Sequence, residues 1–147
     1  ALLDSTVRTF FFVPFYRFPL QHAVVTSDFG MRKSPFTGKA TYHAGIDLAA
    51  PTGSPVYACA AGTVIEIAYS NIYGNYILIR HDDGRESLYG HLSKVQARLY
   101  EKVKSGIVIG YVGSTGLSTG PHLHFEVREQ GKAKDPSLFI DTKKAKT

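Results

Sequence analysis

The chain has 147 residues, enough for one well-buried domain and short for two. Apolar residues at 44%, with aromatics at 12%, supply a core and exclude general disorder. The net charge of +5 suits an anionic surface, but the charge is dispersed, with no basic stripe interleaved with aromatics, so nucleic acid is not an expected partner.

Residues 1 to 23 form an aromatic-rich N-terminal arm, with Phe10, Phe11, Phe12, Phe15, Tyr16 and Phe18 clustered. Two readings stand: an edge strand or arm packed on the domain, or a docking surface for an upstream region. The apolar stretch from Phe10 to Leu20 is broken by Pro14, Arg17 and Pro19 and is too short to span a bilayer. The chain begins at Ala, so an upstream segment of a longer protein is compatible with it.

From Val24 onward, short apolar runs alternate with turn signals, which predicts an all-β domain over 24–140, mainly antiparallel sheet with short helical or irregular segments at most. Val56 to Tyr69 is β-rich around Gly62, where a bend or bulge is expected. Tyr76 to His81 reads as a strand, Asp82-Asp83-Gly84 as its turn, and Arg85 to Tyr89 as the return strand, since Asp-Gly between two such runs marks a hairpin. Val95, Leu99 and Val103 recur at four-residue spacing and permit a short helical stretch over Val95 to Lys104. Ile107 to Val112 is another strand, Gly113 to Gly120 a loop, and His122 to Arg128 the last strand. Residues 141–147 form a basic tail expected to be solvated. Cys59, the one cysteine, reads as a small buried hydrophobe and excludes a disulfide within the chain.

Chemistry concentrates in two motifs: His43-Ala44-Gly45-Ile46-Asp47, and Pro121-His122-Leu123-His124. Between them they offer two imidazoles and a carboxylate for one divalent zinc ion, with one imidazole to spare. Three protein ligands leave a tetrahedral zinc with an open position, the pattern of hydrolytic rather than structural sites. On the last strand, side chains alternate faces. His122, His124, Glu126 and Arg128 therefore share one face, and Leu123, Phe125 and Val127 the other, so apolar packing can hold the polar set toward a groove. Glu126 is placed to orient His124 or to pair with a basic neighbour. His81 reads as a hairpin residue and His22 as a surface or interface residue. The Gly113–Gly120 loop lacks the Gly-Lys-Ser/Thr ending of a phosphate cradle and reads as a flexible groove wall.

Four blocks carry a resemblance: Ser27-Asp28-Phe29-Gly30-Met31-Arg32; Tyr42-His43-Ala44-Gly45-Ile46-Asp47-Leu48-Ala49-Ala50-Pro51; Tyr89-Gly90-His91-Leu92; and Gly113 to Glu126. In this order they resemble the lysostaphin/LytM-type zinc metalloendopeptidases that cut bacterial peptidoglycan. Carried over by position, the resemblance implies that His43, Asp47 and His124 bind one Zn2+ and that His91 and His122 are the catalytic imidazoles. Arg32 and Tyr42 are candidate substrate-binding residues. The implied substrate is a peptidoglycan peptide stem or cross-link, and the implied location is exported: periplasm, cell envelope or extracellular. A non-catalytic peptidoglycan-binding or hydrolase-activating module of the same fold is the alternative. Cys59 and Tyr100 depart from the family pattern, standing where a small residue and a Gly are common.

Overall fold

The computed structural model describes residues 16–142. Twelve strands account for its regular structure: β1 (Val24–Ser27), β2 (Gly30–Lys33), β3 (Ala40–His43), β4 (Ile46–Ala49), β5 (Pro55–Tyr57), β6 (Gly62–Ser70), β7 (Gly74–His81), β8 (Glu86–Val95), β9 (Lys102–Val103), β10 (Val108–Val112), β11 (His122–Glu129) and β12 (Lys132–Lys134). Among the described residues, ten strands form one antiparallel sheet along the path β1-β4-β11-β8-β7-β6-β9, with β12 on β11, β10 on β8, and β5 on β10. β2 and β3 make a separate two-stranded sheet. A single 3-10 turn at Pro136–Leu138 follows, its first free amide, that of Ser137, donating to the Asp135 carboxylate at 3.0 Å.

The expected β7–β8 hairpin forms: the Gly84 amide donates to the His81 carbonyl at 2.9 Å, and Gly84 takes φ +88°. Two local expectations give way to tertiary contacts. The spacing over Val95 to Lys104 builds no helix, because the amides of Gln96 and Ala97 donate to the Ile109 carbonyl and that of Tyr100 to Val64. The chain instead turns there with Tyr100 at φ +66°, a left-handed conformation that accounts for glycine being usual at that place. The irregularity of β6 falls between Val64 and Glu66 rather than at Gly62. Gly62 is instead a close approach, since a Cβ there would meet the Arg80 carbonyl oxygen at 2.3 Å.

β11 lies between β4 and β8 in the sheet. Its apolar face, Leu123, Phe125 and Val127, is fully buried. Burying such side chains contributes about 1.5–3 kcal/mol each, so the opposite, polar face is held in a fixed direction. Tyr16, Phe18 and Leu20 join the same core, and Tyr16 stacks on Phe139. The rest of the aromatic cluster, Phe10 to Phe15, and the basic tail from Lys143 lie outside the described residues.

Behind the sheet, His81 belongs to a buried polar network. Its Nδ1 donates to the Ala61 carbonyl at 2.9 Å, and Nε2 lies 2.7 Å from Ser87 Oγ. Ser87 in turn donates to the Tyr89 hydroxyl, which accepts the Cys59 amide. Burial lowers the pKa of His81, and every polar atom of its ring has a partner here, so it is a structural histidine. Cys59 is buried, with its thiol pushed up to about 11 by burial. His22 is exposed.

Candidate metal centre

β4 and β11 are antiparallel neighbours whose register places His124 opposite Asp47. His43 ends β3, and Gly45 carries the chain from it into β4 directly against β11. A Cβ on Gly45 would stand 2.3 Å from the Phe125 carbonyl oxygen, so only glycine lets His43 and Asp47 close on the same point. There, His43 Nε2 lies 3.2 Å from Asp47 Oδ1 and 3.3 Å from His124 Nδ1, and His124 Nδ1 lies 3.0 Å from Asp47 Oδ1. All three residues are buried, and their three converging donor atoms could hold one metal ion.

The far side of each imidazole decides which nitrogen is free. A carbonyl only accepts, so His43 Nδ1, 2.9 Å from the Asp28 carbonyl, carries a proton and leaves Nε2 as the nitrogen available to a metal. His124 Nε2 donates to Glu126 Oε2 at 2.8 Å, which leaves Nδ1. Glu126 is 1% exposed, yet all of its charge is matched: it also accepts from the Tyr73 hydroxyl at 2.7 Å and from Arg128 Nε at 2.9 Å. Both sequence readings of Glu126, as orienter of His124 and as an ion-pair partner, are realised together.

Charge follows geometry. Burial opposes ionisation of Asp47, but hydrogen bonds with His124 and His43 outweigh it and hold the carboxyl well below the usual carboxylate range. Burial raises Glu126 as well, and its contact with His124 overturns this, so it stays ionised. Burial lowers His124, but Asp47 and Glu126 on either side raise it on balance. The centre is thus a preformed pocket of two ionised carboxylates around a point where a cation could sit.

His91 and His122 flank this point. Their rings are 4.6 Å apart between centroids, and His122 Nε2 lies 3.6 Å from Asp47 Oδ1. Each is fixed the same way, with Nδ1 donating to a carbonyl: His91 to Thr115 at 2.7 Å, His122 to Gly120 at 2.8 Å. In the neutral form of each ring, Nε2 is therefore the acceptor nitrogen. Burial pushes His91 down to about 4, so its ring is neutral at ordinary pH. Its backbone sits at φ +62°, a strained conformation that costs about 1–3 kcal/mol and that clusters at working sites. Two bonds hold it there, from Thr115 at the ring and from the Tyr73 carbonyl, which accepts the His91 amide at 2.6 Å.

Tyr73 is a residue that the sequence reading missed. Its ring stacks on His124 with centroids 5.4 Å apart, its hydroxyl binds Glu126, and its carbonyl holds His91. Thr115, also missed, is pressed against the next residue: a Cβ on Gly74, which has φ +63°, would stand 2.3 Å from Thr115 Oγ1. The Gly113–Gly120 loop does wall the groove, but it is pinned rather than loose. Thr115 Oγ1 donates to the Leu92 carbonyl and the Leu117 amide to that of Ile72.

These residues floor a groove of about 700 Å3. Its lining includes Arg32 and Tyr42 from the β2–β3 hairpin, together with Ile72 and Leu117. Tyr42 is 55% exposed and packs edge-on against Phe29, and Arg32 donates to Ser27 and Asp47.

A family model for peptidase family M23 matches residues 41–136, which include all five histidine and aspartate positions of the centre. The chain belongs to peptidase family M23. The M23 domain is 46% identical over 118 residues to DD-carboxypeptidase/endopeptidase Mpg of Neisseria meningitidis, covering 80% of this chain and 27% of that protein. It is 41% identical over 123 residues to peptidoglycan DD-endopeptidase ShyC of Vibrio cholerae, covering 83% and 28%. It thus spans about a quarter of the length of these curated relatives. Among solved structures it resembles the catalytic domain of the antimicrobial peptidase lysostaphin from Staphylococcus simulans, with a TM-score of 0.73 and 35% identity, over 80% of this chain and 91% of that one. The all-β fold of the M23 domain therefore matches that of a complete catalytic domain. Among the described residues, no helix is long and apolar enough to cross a membrane.

Proposed function

We propose that this M23 domain is a zinc-dependent endopeptidase that hydrolyses peptide stems or cross-links of bacterial peptidoglycan, working outside the cytoplasm in the cell envelope or beyond it. The observation that carries the reading is the convergence of His43 Nε2, Asp47 Oδ1 and His124 Nδ1 beside two unligated imidazoles. Donor atoms on a tetrahedral zinc with bonds near 2.0–2.2 Å stand about 3.4 Å apart, close to the 3.0–3.3 Å separations here. Two imidazoles and a carboxylate, with no thiolate, suit one catalytic zinc ion.

A zinc ion in this site would polarise a peptide carbonyl and lower the pKa of a water molecule toward about 7. The protein's own residues do the rest. Glu126 and the Asp28 carbonyl lock His124 and His43 in their ligating tautomers. His91 and His122, each with Nδ1 committed to a carbonyl, can in the neutral form accept the proton of an attacking water at Nε2. Once protonated, either ring can hold the charged oxygen of the tetrahedral intermediate or return the proton to the leaving amine. Tyr42 and Arg32, which line the groove, are proposed as contacts to the peptide.

The names of the relatives support the substrate class, as does the net charge of +5 facing an anionic wall. A silent, wall-binding module would be expected to lack one or more of the five site residues, and all five are in place. The test is mass analysis of products from purified sacculi and soluble cross-linked muropeptides. We expect cross-linked dimers to fall to monomers with zinc-loaded protein of verified metal content. Dimers left intact under those conditions would overturn the reading.

A further inference from the structure

Arg32 lines the groove and reaches the Asp47 carboxylate. Its Nη1 donates to Ser27 Oγ at 2.6 Å and to Asp47 Oδ2 at 3.3 Å. The other carboxylate oxygen, Oδ1, is the one that faces His43 and His124. Ser27 lies opposite Asp47 across the β1–β4 pair, whereas Arg32 comes from the small β2–β3 sheet. Two separate sheets thus meet at one carboxylate. Arg32 Nε is buried with no hydrogen-bond partner, so the guanidinium is held in place without full satisfaction of its own donors.

We infer that Arg32 is a positioning residue that holds Asp47 Oδ2 away from the ion, so that Asp47 ligates through Oδ1 alone and one coordination position stays open. The inference rests on the zinc reading above. A carboxylate can bind a cation through one oxygen or both. Charge-assisted donation from Arg32 occupies Oδ2 and disfavours the second mode. Retention of the metal does not explain the contact, because a guanidinium beside a divalent cation repels it. One-oxygen ligation does explain it, since three protein donor atoms leave a fourth position for water and room to expand to five for a peptide carbonyl. This role is additional to any contact of Arg32 with the peptide.

The test replaces zinc with cobalt(II), whose visible absorption is intense when four-coordinate and weaker at higher coordination number. Wild type, Arg32→Met, Arg32→Gln and Arg32→Lys are compared after thermal melting has established that each is folded. Arg32→Met and Arg32→Gln should keep one cobalt per chain but show the weaker spectrum. Their zinc forms should lose about 10–100-fold in kcat, separately from any rise in KM that a lost peptide contact adds. Arg32→Lys should lie between, since an ammonium can reach Oδ2 without the planar fork. An unchanged spectrum overturns the inference, even with lost activity, because Arg32 would then act on the substrate alone. Loss of the metal also overturns it. A wild-type chain that takes up no cobalt overturns the zinc reading itself, and this inference with it.

Discussion

His124→Ala should leave the domain without its metal and without cleavage. On the proposed reading His124 supplies one of three ligand atoms, and its other nitrogen is the partner of the buried Glu126 carboxylate. Its removal therefore takes one partner from each of two buried charges, Asp47 in front and Glu126 behind. Metal retention should fall by more than the about 10–100-fold typical of losing an outer partner, because a ligand itself is gone. Removing a partner from buried charges is also destabilising, so the metal-free variant should melt earlier than metal-free wild type, with Arg128 on Glu126 and Arg32 on Asp47 limiting the loss. Metal analysis after dialysis and thermal melting check both halves. Metal content at the wild-type level would show that His124 is not a ligand.

His122→Ala should give the opposite split: metal kept, cleavage lost. His122 sits two residues before His124 on the same face of β11, but its Nδ1 is committed to the Gly120 carbonyl and its Nε2 lies at the edge of the centre. Its loss removes a proton-handling ring, an effect of about 100- to 10,000-fold on turnover. No ligand atom is lost, and the strand pairing of β11 uses backbone groups that alanine retains. Turnover on soluble muropeptides together with metal content reads the outcome. Release of the metal would show that the two histidines of the His-Leu-His segment have been given each other's work.

The difference between these two variants was legible in part from the chain alone. Period-2 alternation put His122, His124, Glu126 and Arg128 on one face of a strand, and the sheet keeps them there because Leu123, Phe125 and Val127 fill the core behind. The Asp83-Gly84 turn was equally local and equally legible. What stayed hidden depends on partners far apart in sequence. Tyr73 meets Glu126 across 53 residues, and Thr115 reaches His91 across 24, through a carbonyl that any residue type would present. Neither contact leaves a pattern in composition or spacing. The left-handed backbone of His91 was hidden for the same reason, since its strain is sustained by the Tyr73 and Thr115 carbonyls. The helical spacing over Val95 to Lys104 misled because Ile109 and Val64 offered its amides better-placed acceptors.

A zinc titration of the chelated domain tests the central claim most directly. Metal-free protein, verified as such, should leave cross-linked muropeptides intact. Cleavage should return in proportion to added zinc and saturate at one ion per chain. Full cleavage by the metal-free domain, or saturation only at two ions, would contradict a single catalytic zinc held by His43, Asp47 and His124.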